Sequence, residues 1–371
     1  MQTRRRLFHR WQQQVRTLLP TVRATRATNL ALFALGLLWA GTTSLPHVAA
    51  ALPHPAHDAS LERRLRRWLA NTAVRVGELW TPLLPALLAN KAGQEVLLVF
   101  DPTPQNGAAS VLVLGIVDHK RVLPLAWRVL PQQAAWSAPQ ITHLRAMVDE
   151  VVAALPSGCT VTLLADRGIT GPAVIDLCAA VGWHYVLRVS VGPAQANRVH
   201  LPGAAEGRLW DLVTGPGQRW AGVAALFKEA GWRPVALTIA WDRTAREPWV
   251  LVSDRPAGMA RVREYRRRTH AEATYADCKR RGWNIERSKV TDPDRFDRLL
   301  LALHLALWWS EQLGLRAIRT GQRRRFDRAG RRDLSVVRLG RSYLTKDIWH
   351  DRCPPLPFHF RRDQWRYAWL A

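Results

Sequence analysis

Between Glu95 and Ser190 the chain reads EVLLVFDPTP, SVLVLGIVDH, RVLPLAWRVL, ITHLRAMVDEVVAAL, TVTLLADRG, GPAVIDLCAAVGW and HYVLRVS. The first three are apolar, β-branched runs separated by turn residues, the pattern of a hairpin-rich sheet. After them comes a run at helical period, a short buried strand, a second helix and another strand. Three strands, helix, strand, helix, strand is an α/β order, and few architectures accommodate it. Two of the strands end in an acid, Asp101 after VLLVF and Asp166 after TLLA. Both are expected where a strand leaves the sheet, the place where α/β folds put their chemistry. Taken singly, either acid serves equally well as the cap of the next turn. Arg167 and Gly168 follow Asp166 in a turn that lets backbone approach a phosphate.

The flanks have other textures. Residues 1–90 look helical, with RRRLFHRWQQQVRTLL, the apolar run NLALFALGLLWAG and SLERRLRRWLAN at helical spacing and with basic faces. The apolar run, Asn29 to Gly41, imitates a signal peptide, but nearly thirty residues precede it and it is too short to span a bilayer. A buried helix opened by Thr28 or Asn29 and closed at Gly41 is the expectation. From 191 to 250 the pattern becomes short β-like pieces broken by Gly and Pro, with Trp210, Trp220, Trp232, Trp241 and Trp249 among them. Aromatics so placed fill a small β core more readily than they stack on a base. A long apolar helix, RFDRLLLALHLALWWSEQL, and a basic tail from Arg323 complete the chain.

Charge narrows the partner. With 54 Lys plus Arg against 29 Asp plus Glu, the formal net charge is +25. The excess is mostly arginine, whose planar fork grips phosphate bidentately, so nucleic acid is the first candidate and an anionic membrane surface the second. Cys159, Cys178, Cys278 and Cys353 form no CxxC pair. That argues against a zinc site and for a reducing compartment.

Within this basic chain, YRRRTHAEATYADCK (265–279) carries a lone Glu272 among Arg, His and Lys. On a helix, Tyr265, Arg268, Glu272 and Lys279 fall within about 60° of one another, while Asp277 lies about 150° away. A solvated face with an Arg268–Glu272 pair is the ordinary reading of such a stretch. With Asp101 and Asp166, however, Glu272 makes a set of hard oxygen ligands for a divalent cation.

The order Asp, Asp in DRG, then Tyr-(2)-Arg-(3)-Glu-(6)-Lys, resembles the DDE transposases of bacterial insertion sequences, in particular the "IS four" group. All four signature positions match. ERRLRRWLAN, LLADRGITGPAVIDLCAAVGWHYVLRV and EPWVLVSD are similar to further parts of the family, whereas DPT around Asp101 matches more loosely. The resemblance implies a ribonuclease H-like catalytic core interrupted by a mostly β insertion, with an N-terminal helical domain. The boundaries expected are 1–90 for a helical DNA-binding domain, 91–190 for the first part of the core and 191–250 for the insertion. The second part of the core, with the signature helix, takes 251–322, and the basic tail 323–371.

The same resemblance implies a metal-dependent enzyme of the cytoplasm. Asp101, Asp166 and Glu272 would bind two Mg²⁺, with Mn²⁺ able to substitute, and Tyr265, Arg268 and Lys279 would contact DNA phosphates. Cleavage would free a transposon 3′-OH, which would then attack target DNA. The partners implied are double-stranded DNA and a second copy of the chain, with no membrane. The alternatives are a catalytically silent DNA-binding descendant and a nuclease that cuts without joining.

Overall fold

The computed structural model describes residues 2–105, 109–131, 139–192, 197–279, 282–328 and 332–357. Four helices come first: α1 (Gln2–Leu18), α2 (Ala24–Ala40), α3 (Leu45–Ala51) and α4 (Asp58–Ala70). Two short ones, α5 (Val76–Trp80) and α6 (Leu84–Leu88), lead into strands β1 (Glu95–Gln105), β2 (Ala109–Asp118) and β3 (Arg121–Pro131). Then α7 (Pro139–Ala154), β4 (Thr160–Ala165), α8 (Pro172–Ala180) and β5 (His184–Val189) alternate as the sequence predicts.

Strand order in the main sheet is β3-β2-β1-β4-β5, continued by β10 (Trp249–Ser253), β9 (Arg233–Ala240) and β8 (Arg219–Leu226). The first three strands are antiparallel to one another, and β1, β4 and β5 run parallel. The segment between β5 and β10 therefore extends the sheet through β8 and β9. Its other strands, β6 (Arg198–Val199) and β7 (Gly207–Arg208), form a small separate ribbon.

Period-2 alternation sorts the sheet into two faces. Leu98, Phe100, Leu163, Ala165, Leu187, Val250 and Val252 point into the large core shared with the N-terminal helices. Val99, Leu164, Val186 and Leu251 point the other way, into a cluster with Val262, Tyr265 and Ala271. That second face is covered by α9 (Met259–Arg266) and α10 (His270–Cys278), joined by a 3₁₀ turn over Arg267–Thr269. The stretch read as one helix is thus interrupted at Arg268, and Lys279 lies just past its end.

Helix α11 (Pro293–Arg319) is capped by the Asp292 carboxylate, which accepts from the Arg295 N–H, and is buried along most of its length. The N-terminal helices pack on it directly. Trp11 stacks at 4.7 Å on Trp309, and Arg298 donates to the carbonyls of Leu69 and Val74. Residues 1–90 consequently share one apolar core with the sheet.

The apolar run is the central helix α2, with Leu30 through Leu38 buried on every side. It closes at Gly41 in the left-handed conformation, as expected, but begins at Ala24, one turn before Thr28. Thr28 and Asn29 are drawn from capping into packing: they accept from Gln12 and Arg64. Among the described residues no single helix is long and apolar enough to cross a membrane. Within the segment expected as a basic tail, α12 (Val336–Trp349) packs on α11, and residues 358–371 lie outside the described ones.

Candidate active site

The parallel pairing of β1 with β4 ends at the row Phe100–Ala165. Asp101 and Asp166 are the next residue of each chain, so the two carboxylates stand side by side where the strands part. Asp101 is not at the end of its own strand, because β1 continues to Gln105 against β2. By alternation both acids share the face of Val99 and Leu164, the face that α9 and α10 cover. Two residues beyond Val186, Arg188 of β5 comes to the same face.

Three side chains and one backbone N–H close on this pair. Arg268 donates through Nη1 to Asp101 Oδ1 at 2.8 Å and its Nη2 lies 3.3 Å from Asp166 Oδ2. The Tyr265 hydroxyl donates to Asp166 Oδ1 at 3.0 Å, and the Arg167 backbone N–H does so at 2.8 Å. Arg188 reaches the same oxygen at 3.5 Å while its other nitrogen pairs with Glu247 at 2.6 Å. Glu247 is also held by Arg167, at 2.9 Å to each oxygen. Two residues on, Trp249 meets the Tyr265 ring edge-on at 5.1 Å.

These contacts separate the two acids electrically. Burial pushes Asp101 up to about 6 against the pull of Arg268, with the negative charges of Asp166 and Glu272 adding to the rise. Asp166 is also raised by burial, but the Arg167 N–H, Arg268 and the Tyr265 hydroxyl outweigh it and leave that carboxyl below its ordinary range. Burial likewise holds the Tyr265 phenol well above its usual range, so it stays a donor.

The structure thus brings Asp101, Asp166, Tyr265 and Arg268 into contact. Glu272 lies on the first turn of α10, exposed and, among the described residues, without a hydrogen bond or ion pair, close enough for its charge to act on Asp101. Lys279 follows α10 with its N–H bonded to the Tyr275 carbonyl. Asp277 points away, buried between Arg121 at 2.7 Å and Ser335 at 2.8 Å. Arg188 and Glu247 escaped the sequence reading, and Trp249, read there as core filler or a base-stacking ring, instead packs on Tyr265. The available signal was Arg188 itself, a cation in the otherwise apolar strand HYVLRV.

A divalent cation fits the two strand-end acids chemically. Their oxygens already share one cation, the Arg268 guanidinium. The described residues also hold a close-set acidic group that could take a metal, Asp118, His119 and Glu311. It sits at the β2–β3 turn, where Lys91 at 3.2 Å from Asp118 already supplies positive charge.

Residues 137–309 match the family model of the transposase DDE domain. That span contains Asp166 and Glu272 and supports a DDE transposase. No curated protein matches the chain. Among solved structures, the chain is similar to a piggyBac transposase in a synaptic complex with hairpin DNA. The likeness is at 10% identity with a TM-score of 0.43, over 91% of this chain and 76% of that one.

Proposed function

We propose that the chain is a DNA transposase of the "IS four" kind, which cuts the ends of its insertion sequence and joins the freed 3′-OH to target DNA. The observation that carries this reading is the convergence of Tyr265 and Arg268, from the signature stretch, on Asp101 and Asp166, which lie about a hundred residues or more upstream. The order β3-β2-β1-β4-β5, with its antiparallel hairpins and parallel β1, β4 and β5, supports a ribonuclease H-like core.

In this reading Asp101, Asp166 and Glu272 hold two Mg²⁺ ions, which when bound stabilise the attacking and leaving oxygens of an in-line displacement. The protein's own part is positioning. Tyr265 and the Arg167 N–H fix one oxygen of Asp166 and leave the other facing Asp101. Arg268 neutralises both acids until DNA arrives, and then offers its fork to a phosphate near the cut. Lys279 lies at the end of α10 as a second phosphate contact. Residues 1–90 and the basic segment after Arg323 supply the remaining attraction for duplex DNA, bound by a dimer.

The test is a cleavage and strand-transfer assay on a duplex carrying the element's ends, with Mg²⁺ and then Mn²⁺. Cut 3′ ends and joined products support the proposal. Cutting without joining leaves a nuclease. DNA binding with neither leaves a silent descendant.

A further inference from the structure

The outward face of α12 is built rigidly. A Cβ placed on Gly340 would stand 1.7 Å from the Ser310 carbonyl oxygen, and one on Gly314 1.9 Å from that of Val336, so α11 and α12 touch backbone to backbone. Val337, Leu344 and Ile348 face inward. Outward, Arg338, Arg341, Ser342, Thr345 and Lys346 line an open groove of about 500 Å³ together with Gly282 and Leu334.

Three cations share that groove, and among the described residues no carboxylate lies within ion-pair distance of any of them. Arg341 is fixed over the Trp283 ring at 5.3 Å with its Nε 3.4 Å from the Leu38 carbonyl. Lys346 lies over Phe326 at 5.1 Å. Burial and the neighbouring charge of Arg338 hold the Arg341 guanidinium below its ordinary range against the pull of Asp277.

The groove also begins where the signature helix ends. Ser335 caps α12 and donates to Asp277, two residues before Lys279, and Gly282 belongs to the turn that follows Lys279.

We propose that this groove binds the phosphate backbone of duplex DNA, continuing the track that Lys279 opens; the inference rests on the reading of the chain as a transposase. Guanidinium, ammonium and hydroxyl groups are the donors that phosphate oxygens take. From Arg338 to Lys346 the helix rises about 12 Å, a little over three base-pair steps along one strand.

The test is fluorescence anisotropy of a labelled duplex of arbitrary sequence, titrated with the full chain across a salt series. Arg338→Glu/Lys346→Glu changes two exposed groups; it gives up the Lys346 contacts to Phe326 and the Arg325 carbonyl, so binding is compared well below the melting temperature of both proteins. Its affinity should fall at least tenfold, and the slope of log K against log salt should become shallower by about 2. Arg219→Glu/Arg243→Glu, at the far edge of the sheet, makes the same change of net charge and should leave the slope nearly unchanged. Equal losses in both variants, or an unchanged slope in the first, would overturn the groove assignment while DNA binding by the parent leaves the transposase reading standing. A parent chain that binds no DNA removes both. Loss of binding to phosphatidylserine vesicles with DNA binding intact would assign the groove to a membrane surface instead.

Discussion

Arg268 holds Asp101 at 2.8 Å, and the same guanidinium touches Asp166, so one arginine of the signature stretch bridges two acids that the strands set side by side. A cation in that position does the electrostatic work of a divalent ion. Arg268→Ala leaves Asp101 without its ion-pair partner and beside an Asp166 still held by Tyr265 and Arg188, and the fold should lose on the order of 1–3 kcal/mol at neutral pH, discounted for partial exposure. Adding Mg²⁺ should then raise the variant's melting temperature more than the parent's. Differential scanning fluorimetry with and without Mg²⁺ checks this, and equal shifts would rule out a cation site between the two acids.

Glu272 and Asp277 provide a contrast five residues apart. Glu272 is exposed and has no partner among the described residues, so Glu272→Gln should keep the parent's melting curve and DNA affinity while Mg²⁺-dependent cleavage disappears. Asp277 is buried between Arg121 and Ser335. Asp277→Asn should cost about 2–4 kcal/mol, because Arg121 keeps its charge without its partner. Cleavage per folded molecule should survive well below the melting temperature. Comparing melts and activities of the two variants decides it.

Trp249 and Trp241 lie eight residues apart and should also behave differently. Trp249 supports the Tyr265 ring, which orients Asp166. Trp249→Ala should therefore slow cleavage in the fraction that folds. Trp241 packs on Trp210 and donates to the Ala245 carbonyl, away from the acids. Trp241→Ala should lower stability by about 2–4 kcal/mol and leave the rate per folded molecule unchanged. Single-turnover cleavage, normalised to the folded fraction by circular dichroism, separates them.

Asp101 gives stability a pH dependence. Its carboxyl is raised to about 6 in the fold from 3.8. The folded state therefore binds the proton more tightly than the unfolded chain does. This contribution is fully present below about pH 4 and is lost as pH rises through about 6. Asp101→Asn removes it, so the variant should gain relative to the parent between pH 4 and 7, by on the order of 1–3 kcal/mol. Denaturant midpoints measured across that range, with metal chelated, test the sign. A parent that gains on the variant as pH rises would show that Asp101 is not the raised group.

The first ninety residues should not fold when cut away. Trp11 and Arg298 tie them to α11, and their buried leucines belong to the core of the sheet. A 1–90 fragment should show a non-cooperative melt by circular dichroism; a cooperative one would make this segment an independent domain.

Local pattern determined much of this protein. The apolar runs specified the strands and their alternation with helices, because burial on both faces demands uninterrupted β-branched residues. The spacing of Tyr265, Arg268 and Glu272 determined the signature, since residue types and intervals are properties of the chain alone. Alternation combined with the strand register, which only the structure supplies, puts Asp101, Asp166 and Arg188 on one face. What only the tertiary structure decided was how distant segments meet. The segment after β5 adds strands to the main sheet, since an exposed edge at β10 pairs with whatever strand is presented to it. The 3₁₀ turn at Arg268 aims the guanidinium between two acids, and Glu247 is linked to Asp166 through Arg188 and Arg167. Such contacts depend on pairing partners and packing angles, which no interval along the chain records.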